Sequence, residues 1–415
     1  MPVDFDPYSH RWKRDPYRIY RELRDRAPVH YSPGSDAFTI SRHADVQHVL
    51  TTPEVFSSNT RKRQQRQLAG SLGQRLLMGF RFARRMRIGP RGLIESRMLI
   101  QSDGEVHSRM RKLVNRGFTP RRISAWEGRV RELAREGLDR LRACGEFDLV
   151  EELAMPLPVT VIAEFLGIEC ERMRDFKRWS DAIIQSGTGS GMQDFARGPG
   201  FAAMVELRSY LRPITRERRA RPGDDLISLL VTSEGEAALS DFEVYLFVLL
   251  LLVAGNETTT NLLGNAVEAL LDHPDQLERV RADCSLVPGL VEEVLRYDGP
   301  VQFVNRTAVC ESELHGVRIP EGAHLVVLLG SANRDERRFP EPDRFDVTRD
   351  TRGHVGFGFG AHFCLGAALA RLEARSALEV LVPELPHLVR LLPEPDFLDS
   401  YLIRGRAHLP LRAAA

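Results

Sequence analysis

Apolar residues recur at spacings of three and four along most of residues 11–300, broken by Pro and Gly, and that periodicity predicts a chain dominated by α-helix. The clearest element begins at Ser240, a helix N-cap that forms a capping box with Glu243 three positions on. The apolar run Val244 to Gly255 leads into a helix that must end near His273-Pro274, because a residue before proline is pushed out of the helical region. Some thirty residues at 1.5 Å each make a rod of about 45 Å, long enough to need burial on most sides. Ser186 to Gly200, rich in Gly, reads as a mobile loop between helices. The period then changes. Val301 to Val309 and the runs at Val317 and Leu325 read as strands, the last two joined by a turn at Pro320-Glu-Gly322. Helix returns from Cys364 to Val382. The expected fold is mainly α with a small β part, the latter drawn from about 20–60 and 301–330. No repeat and no long polar linker divides the chain. One domain over 1–415 is therefore expected, although at roughly 150 residues per domain the length would admit two or three.

Composition narrows the class. Hydrophobic residues at 43% and charged residues at 28% fit a folded globule and exclude a disordered chain. Lys plus Arg (58) against Asp plus Glu (57) leaves +1, so no field favours nucleic acid as a partner. Met1-Pro-Val-Asp-Phe-Asp-Pro has neither a basic nor an apolar stretch, so no secretory signal is expected. The longest apolar run, twelve residues, is short of the roughly 20 that cross a bilayer, and no membrane span is expected. Five scattered cysteines without a C-x-x-C pair argue against a disulfide framework or a zinc site. A reducing cytoplasm is the expected compartment, and any sulfur chemistry should rest on one thiolate.

The strongest candidate for that thiolate is Cys364 in Phe357-Gly358-Phe-Gly360-Ala-His362-Phe363-Cys364-Leu-Gly366. A cysteine at a helix N-terminus sits among free N–H groups and the positive end of the dipole, which favour thiolate over thiol. Glycines on either side let the backbone approach a flat, bulky group, and Phe357 and Phe363 are placed to keep water from the sulfur. A shielded thiolate with amide donors is what a haem iron needs as axial ligand for oxygen–oxygen cleavage. The bland reading is a glycine-rich turn before a helix with an inert core cysteine. A dinucleotide loop is the other, but Gly356, Gly358 and Gly360 lack its spacing and no strand leads in. The ten-residue pattern resembles the cysteine-ligand loop of the cytochrome P450 haem-thiolate monooxygenases.

Three other constellations bear on the resemblance. Glu293 and Arg296 stand at i,i+3 on one helix face and can pair, as many surface residues do. They are similar to the family's buried Glu-x-x-Arg motif, whose implied third partner is Arg344 of Pro342-Asp-Arg344-Phe345. Ala254-Gly255-Asn256-Glu257-Thr258 puts polar residues into the long apolar helix, where they are costly without a task. A benign kink is one reading. The segment also resembles the family's Ala-Gly-x-Asp/Glu-Thr signature, which implies that Thr258 steadies dioxygen chemistry and Glu257 supplies protons. His107 and Arg111 share a helix face, Arg306 lies in a strand and His362 in the loop. Such cations suit two buried carboxylates, and the resemblance implies that they hold the propionates of haem b. It further implies contacts from Phe357, Gly358, Gly366, Ala254 and Gly255. Asn333-Arg-Asp335 and Phe339-Pro340 also fit, so the likeness covers about residues 1–410.

The resemblance implies a mainly α fold with haem b between the long helix and the Cys364 helix, and monooxygenation with dioxygen. Electrons would come from a separate ferredoxin and an NAD(P)H-dependent ferredoxin reductase, since the haem domain uses nearly the whole chain. Arg109, Lys112 and Arg116 are candidate docking cations. Val253, Val301, Phe303, Tyr401 and Leu402 are candidate contacts for a small-to-medium lipophilic substrate. Two departures stand out. Gly104-Glu-Val106 precedes His107 where proline is common, and Arg61–Arg97 carries eleven Lys or Arg against one Glu. That segment is expected to be a solvated loop with some helix, or else a cap on the substrate entrance. A peroxide-driven haem enzyme and a non-catalytic haem sensor remain as alternatives; neither needs the Glu257-Thr258 pair.

Overall fold

The computed structural model describes residues 3–60, 72–89, 97–143, 145–187, 198–233, 238–392 and 394–413. The helices that matter below are α1 (Tyr17–Arg26), α2 (His43–Thr51), α3 (Gly104–Asn115), α4 (Glu127–Ala143), α5 (Met173–Gly187), α6 (Pro199–Ala220), α7 (Asp241–Asp272), α8 (Val287–Tyr297) and α9 (Ala367–Leu381). The main strands are β1 (Val29–Ser32), β2 (Ala37–Ile40), β3 (Phe56–Ser57), β4 (Phe303–Ala308) and β5 (His324–Leu328). The chain forms two compact units. One comprises 1–58, 120–158 and 257–415, the other 59–119 and 159–256.

The first unit holds a five-stranded sheet in the order β1-β2-β5-β4-β3. Its pairs are antiparallel except β2 with β5, where Ala37 faces His324 in parallel register. Alternation along β5 explains its position. Leu325 and Val327 join Ile40, Val46, Val49, Leu50 and Phe56 on one face, while Val326 and Leu328 join Phe5, Ile19, Tyr20, Leu23 and Phe303 on the other. A strand covered on both sides reads as a continuous apolar run, as His-Leu-Val-Val-Leu does. The turn into β5 is the one foreseen: Gly322 has φ +80, and Ala323 N–H donates to the Pro320 carbonyl at 3.1 Å. On the helical side of this unit, α9 packs against both α4 and α8.

In the second unit α5 packs along α6. The N-terminal half of α7 is held there by the Tyr245 hydroxyl, which donates to the Met204 carbonyl, and by Arg208, whose guanidinium lies 5.2–5.3 Å from the rings of Phe242 and Tyr245. The capping box forms as expected: Ser240 N–H donates to Glu243 Oε2 at 3.0 Å, and Glu243 N–H donates to Ser240 Oγ at 3.2 Å. The helix then runs unbroken for 32 residues. By length and hydropathy it would pass for a membrane span, but 67% of its most apolar window is buried, as in a core helix. The expected loop at 186–200 falls mostly on 188–197, outside the described residues. Of the basic segment, Leu72–Arg85 is helical, and 61–71 and 90–96 lie outside the described residues.

Candidate active site

Cys364 precedes α9 at the end of a loop shaped by its glycines. Gly358 and Gly360 have φ of +72 and +70, a region that side chains with a Cβ disfavour. At Gly360 there is a second reason, because an added Cβ would stand 2.9 Å from the Leu50 carbonyl of α2. The loop closes on itself through Cys364 N–H donating to the Phe357 carbonyl at 2.9 Å and Gly358 N–H donating to Val355 at 2.8 Å. The Cys364 side chain is half-buried. Beside it, a Cβ at Gly366 would meet nothing within 4 Å, so the backbone presents a bare edge. Phe357 and Phe363 flank this stretch with ring centroids 6.2 Å apart. One soft anionic ligand, a bare backbone edge and aromatic walls fit a flat macrocycle bound through iron.

The Glu293–Arg296 pair is wholly buried, with both side chains at 0% exposure, and it is bidentate at 2.7 and 2.8 Å. Arg296 also donates to the carbonyls of Asn333 (3.1 Å) and Pro342 (2.8 Å), and Glu293 accepts the Asp346 amide at 3.0 Å. The expected third side chain is a correction. Arg344 points outward at 55% exposure and offers only its carbonyl to Arg296, at 3.3 Å. The second cation on Glu293 is Arg349, with Nε at 3.3 Å from Oε1. The family resemblance implied Arg344; the turn at 346–349 brings Arg349 back instead, where it also binds the carbonyls of Pro340, Glu341 and Arg344.

On α7 most of the apolar residues are buried, but Val253, Gly255, Glu257 and Thr258 are half-buried and Ala254 is exposed. Positions 253, 254, 257 and 258 lie on one side of a helix, so this face is the open one. Asn256 faces inward and donates to Ser180 Oγ at 3.2 Å. No break in the helix accompanies Gly255; instead the Asn261 amide donates to the Glu257 carbonyl at 2.7 Å. Thr259 makes a contact that no local pattern foretells. Its hydroxyl hydrogen-bonds the buried carboxyl of Glu373 on α9, and burial pushes that carboxyl up to about 8 despite the hydroxyl.

The sign of that shift gives a prediction. The folded protein keeps the Glu373 proton until about pH 8, while the unfolded chain gives it up near 4.5. Stability is therefore full below about pH 4.5 and falls as pH rises towards 8, by about 5 kcal/mol in all. Denaturant titrations at a series of pH values should show this slope, and Glu373→Gln should flatten it. An equal slope in the variant would remove Glu373 as its source.

The remaining candidates fall on both units. Arg306 is buried on β4 and donates to the Asn305 carbonyl at 2.8 Å, and His362 is half-buried in the Gly360–His362 turn. In the second unit His107 is buried on α3 with Arg111 one turn on, while Arg109, Lys112 and Arg116 are exposed. Val301 bridges to Ile403, and Leu402 is exposed. The other two candidate substrate contacts lie together. Phe303 is buried in the cluster with Phe5 and Tyr20, and Tyr401 packs on that cluster with its hydroxyl 2.6 Å from His10 Nε2. Both line a solvent-open cavity of about 520 Å³, to which neither α7 nor the Cys364 loop contributes. Alternation along β4 turned Phe303 to that face.

Comparison with known proteins agrees with this geometry. The cytochrome P450 family model matches residues 201–389. The chain is 40% identical to cytochrome P450 107B1 of Saccharopolyspora erythraea, over 99% of this chain and 98% of the other. It is 38% identical to 6-deoxyerythronolide B hydroxylase of the same organism, over 96% of both. The crystal structure of CYP109E1 from Bacillus megaterium in complex with testosterone superposes with a TM-score of 0.82 at 34% identity, covering 97% of this chain and 100% of that one. With a cysteine loop of this form and relatives spanning nearly its whole length, the chain belongs to the cytochrome P450 family and is a haem-thiolate monooxygenase of bacterial type.

Proposed function

We propose that this enzyme inserts one oxygen atom of dioxygen into a C–H bond, or adds it across a double bond, of a small-to-medium lipophilic substrate. The other atom leaves as water, with two protons and two electrons consumed. The electrons come from a separate ferredoxin and its NAD(P)H-dependent reductase, in the cytoplasm, and both units serve as one catalytic domain. The observation that carries the reading is Cys364 at the entrance to α9 behind two left-handed glycines. Haem b, when bound, supplies the iron at which dioxygen is activated. Cys364 is its ligand, His107, Arg111, Arg306 and His362 hold its carboxylates, and Phe357, Gly358, Gly366, Ala254 and Gly255 lie against it. Arg109, Lys112 and Arg116 offer the ferredoxin a cationic, salt-sensitive face.

Thr258 and Glu257 do the proton work. Their adjacency on the open face of α7 suits a hydroxyl that receives a proton and a carboxylic acid that delivers it. Thr258→Ala should leave the haem spectrum intact while NAD(P)H is consumed largely without product and peroxide accumulates. Unchanged coupling of electrons to product would refute the relay, and equal turnover with peroxide alone would favour a peroxide-driven enzyme.

A substrate drawn from steroids or polyketides is supported by the relatives, one of which hydroxylates 6-deoxyerythronolide B and another of which binds testosterone. Val253, Val301 and Leu402 contribute apolar wall. A screen of steroids, polyketides, terpenoids and fatty acids, read by the low-to-high-spin shift of the haem band, tests this. At least one class should shift the band with saturating dependence; silence from all four would overturn the lipophilic assignment.

A further inference from the structure

We propose that Glu292 is a positioning residue for the Cys364 loop, acting through His354 and Arg371. The inference rests on the reading of Cys364 as the iron ligand. Glu292 and Glu293 are neighbours on α8 and so point to different sides of the helix. Glu293 secures the 342–349 segment as described above. Glu292 takes hold of the cysteine loop from both ends. Its carboxylate accepts Arg371 Nε at 2.5 Å and Nη2 at 2.9 Å, a bidentate grip on α9. It also lies 2.9 Å from His354 Nε2.

His354 passes that hold to the loop backbone. Gly356 N–H donates to His354 Nδ1 at 3.1 Å, which makes Nδ1 the acceptor and leaves Nε2–H to donate to Glu292. Gly356 has no room for a side chain, since a Cβ would stand 2.8 Å from the Leu295 carbonyl of α8. The loop is thus pressed flat on the helix that carries Glu292. The next residue, Phe357, lies under the Arg371 guanidinium at 4.5 Å, and its carbonyl accepts the Cys364 amide. One carboxylate therefore orients the Phe357 ring and, through two more hydrogen bonds, the backbone that bonds Cys364 itself. Burial works to raise the Glu292 pKa, yet Arg371 and His354 outweigh it and hold the group at about 2. The clamp is charged throughout the neutral range.

Groups that hydrogen-bond to a metal ligand or to the backbone holding it fix its orientation and tune its donor strength. Loosening this clamp should let the loop sample conformations in which the thiolate is protonated or displaced. The test uses the haem-loaded enzyme and compares wild type with Glu292→Gln, Glu292→Asp and His354→Gln. Reduced, carbon monoxide-treated samples are followed for loss of the thiolate-type absorption band, and reduction potentials are measured beside thermal melts. Glu292→Gln and His354→Gln should lose the band roughly tenfold faster and shift the potential, with Glu292→Asp closer to wild type. A merely structural role would lower the melting temperature but leave the potential and band of the folded fraction unchanged, and that result overturns the proposal. If Glu292→Gln does not fold, His354→Gln, which keeps the carboxylate, decides the matter alone. Cys364→Ser run in parallel separates the two ideas. A band that survives in Cys364→Ser removes the ligand assignment, whereas a band lost there and untouched by both clamp variants removes this proposal only.

Discussion

Glu293→Gln is expected to destabilise the protein by about 3–5 kcal/mol, because it strands the Arg296 guanidinium as a buried charge without its counter-ion. The pair has no access to water that could compensate, both side chains being fully buried. Arg349 would lose its anionic partner as well, and the single amide oxygen of glutamine would have to serve Arg296, Arg349 and the Asp346 amide where two carboxylate oxygens did before. The damage should therefore reach the segment that leads into the Cys364 loop, so haem content should fall along with the denaturation midpoint. Urea titrations of apo and loaded protein measure both. The double variant Glu293→Leu with Arg296→Leu should recover part of the stability, since an apolar pair has no unpaired charge to bury. A loss under about 1 kcal/mol in Glu293→Gln would mean that water or a neighbouring group reaches Arg296.

The second large effect is on chemistry rather than stability. Cys364→Ser should abolish monooxygenation and the reduced carbon monoxide band for which the family is named, while the fold persists. Serine is nearly the same size and keeps the amide that donates to Phe357, so the loop retains its closing bond. Its hydroxyl, unlike a thiol at a helix N-terminus, does not ionise near neutral pH and gives no anionic sulfur to the iron. Absorbance of the reduced protein and product formation with the redox chain are the measurements. Retention of either would place the ligand elsewhere in the chain.

Acid should reveal a different group. Glu292 has its pKa held below the ordinary carboxylate value, so its contribution is present above about pH 4.5 and is lost as pH falls towards 2. That is opposite in direction to the Glu373 effect. The two slopes can be separated in one pH series with the single variants.

What was legible in the sequence was local. The capping box, the two ends of α7, the turn at Pro320 and the strands around Leu325 follow from spacing and from residues with special backbone preferences, whereas the kink expected at Gly255 does not interrupt the helix. The cysteine loop was legible for the same reason, because two glycines at positive φ ahead of a helical cysteine leave a pattern in consecutive residues. Arg349 in place of Arg344, the Thr259–Glu373 contact and the Glu292–His354–Arg371 clamp were not. Their partners stand 56, 114, 62 and 79 positions apart, and no local periodicity encodes such distances. The doubled Glu at 292–293 was the one available signal, since successive side chains on a helix diverge by about 100° and so reach different neighbours.

The amino-acid sequence by itself determined the element types, the loop that presents Cys364 and the membership of the family, since these depend on short-range sterics and on residue chemistry in fixed order. Only the tertiary structure decided which arginine answers Glu293, which face of β4 takes Phe303, and which carboxyl is buried against Thr259. Those choices are made by packing, where burial sets the energy of each charge and the chain's remote segments compete for the same few square ångströms.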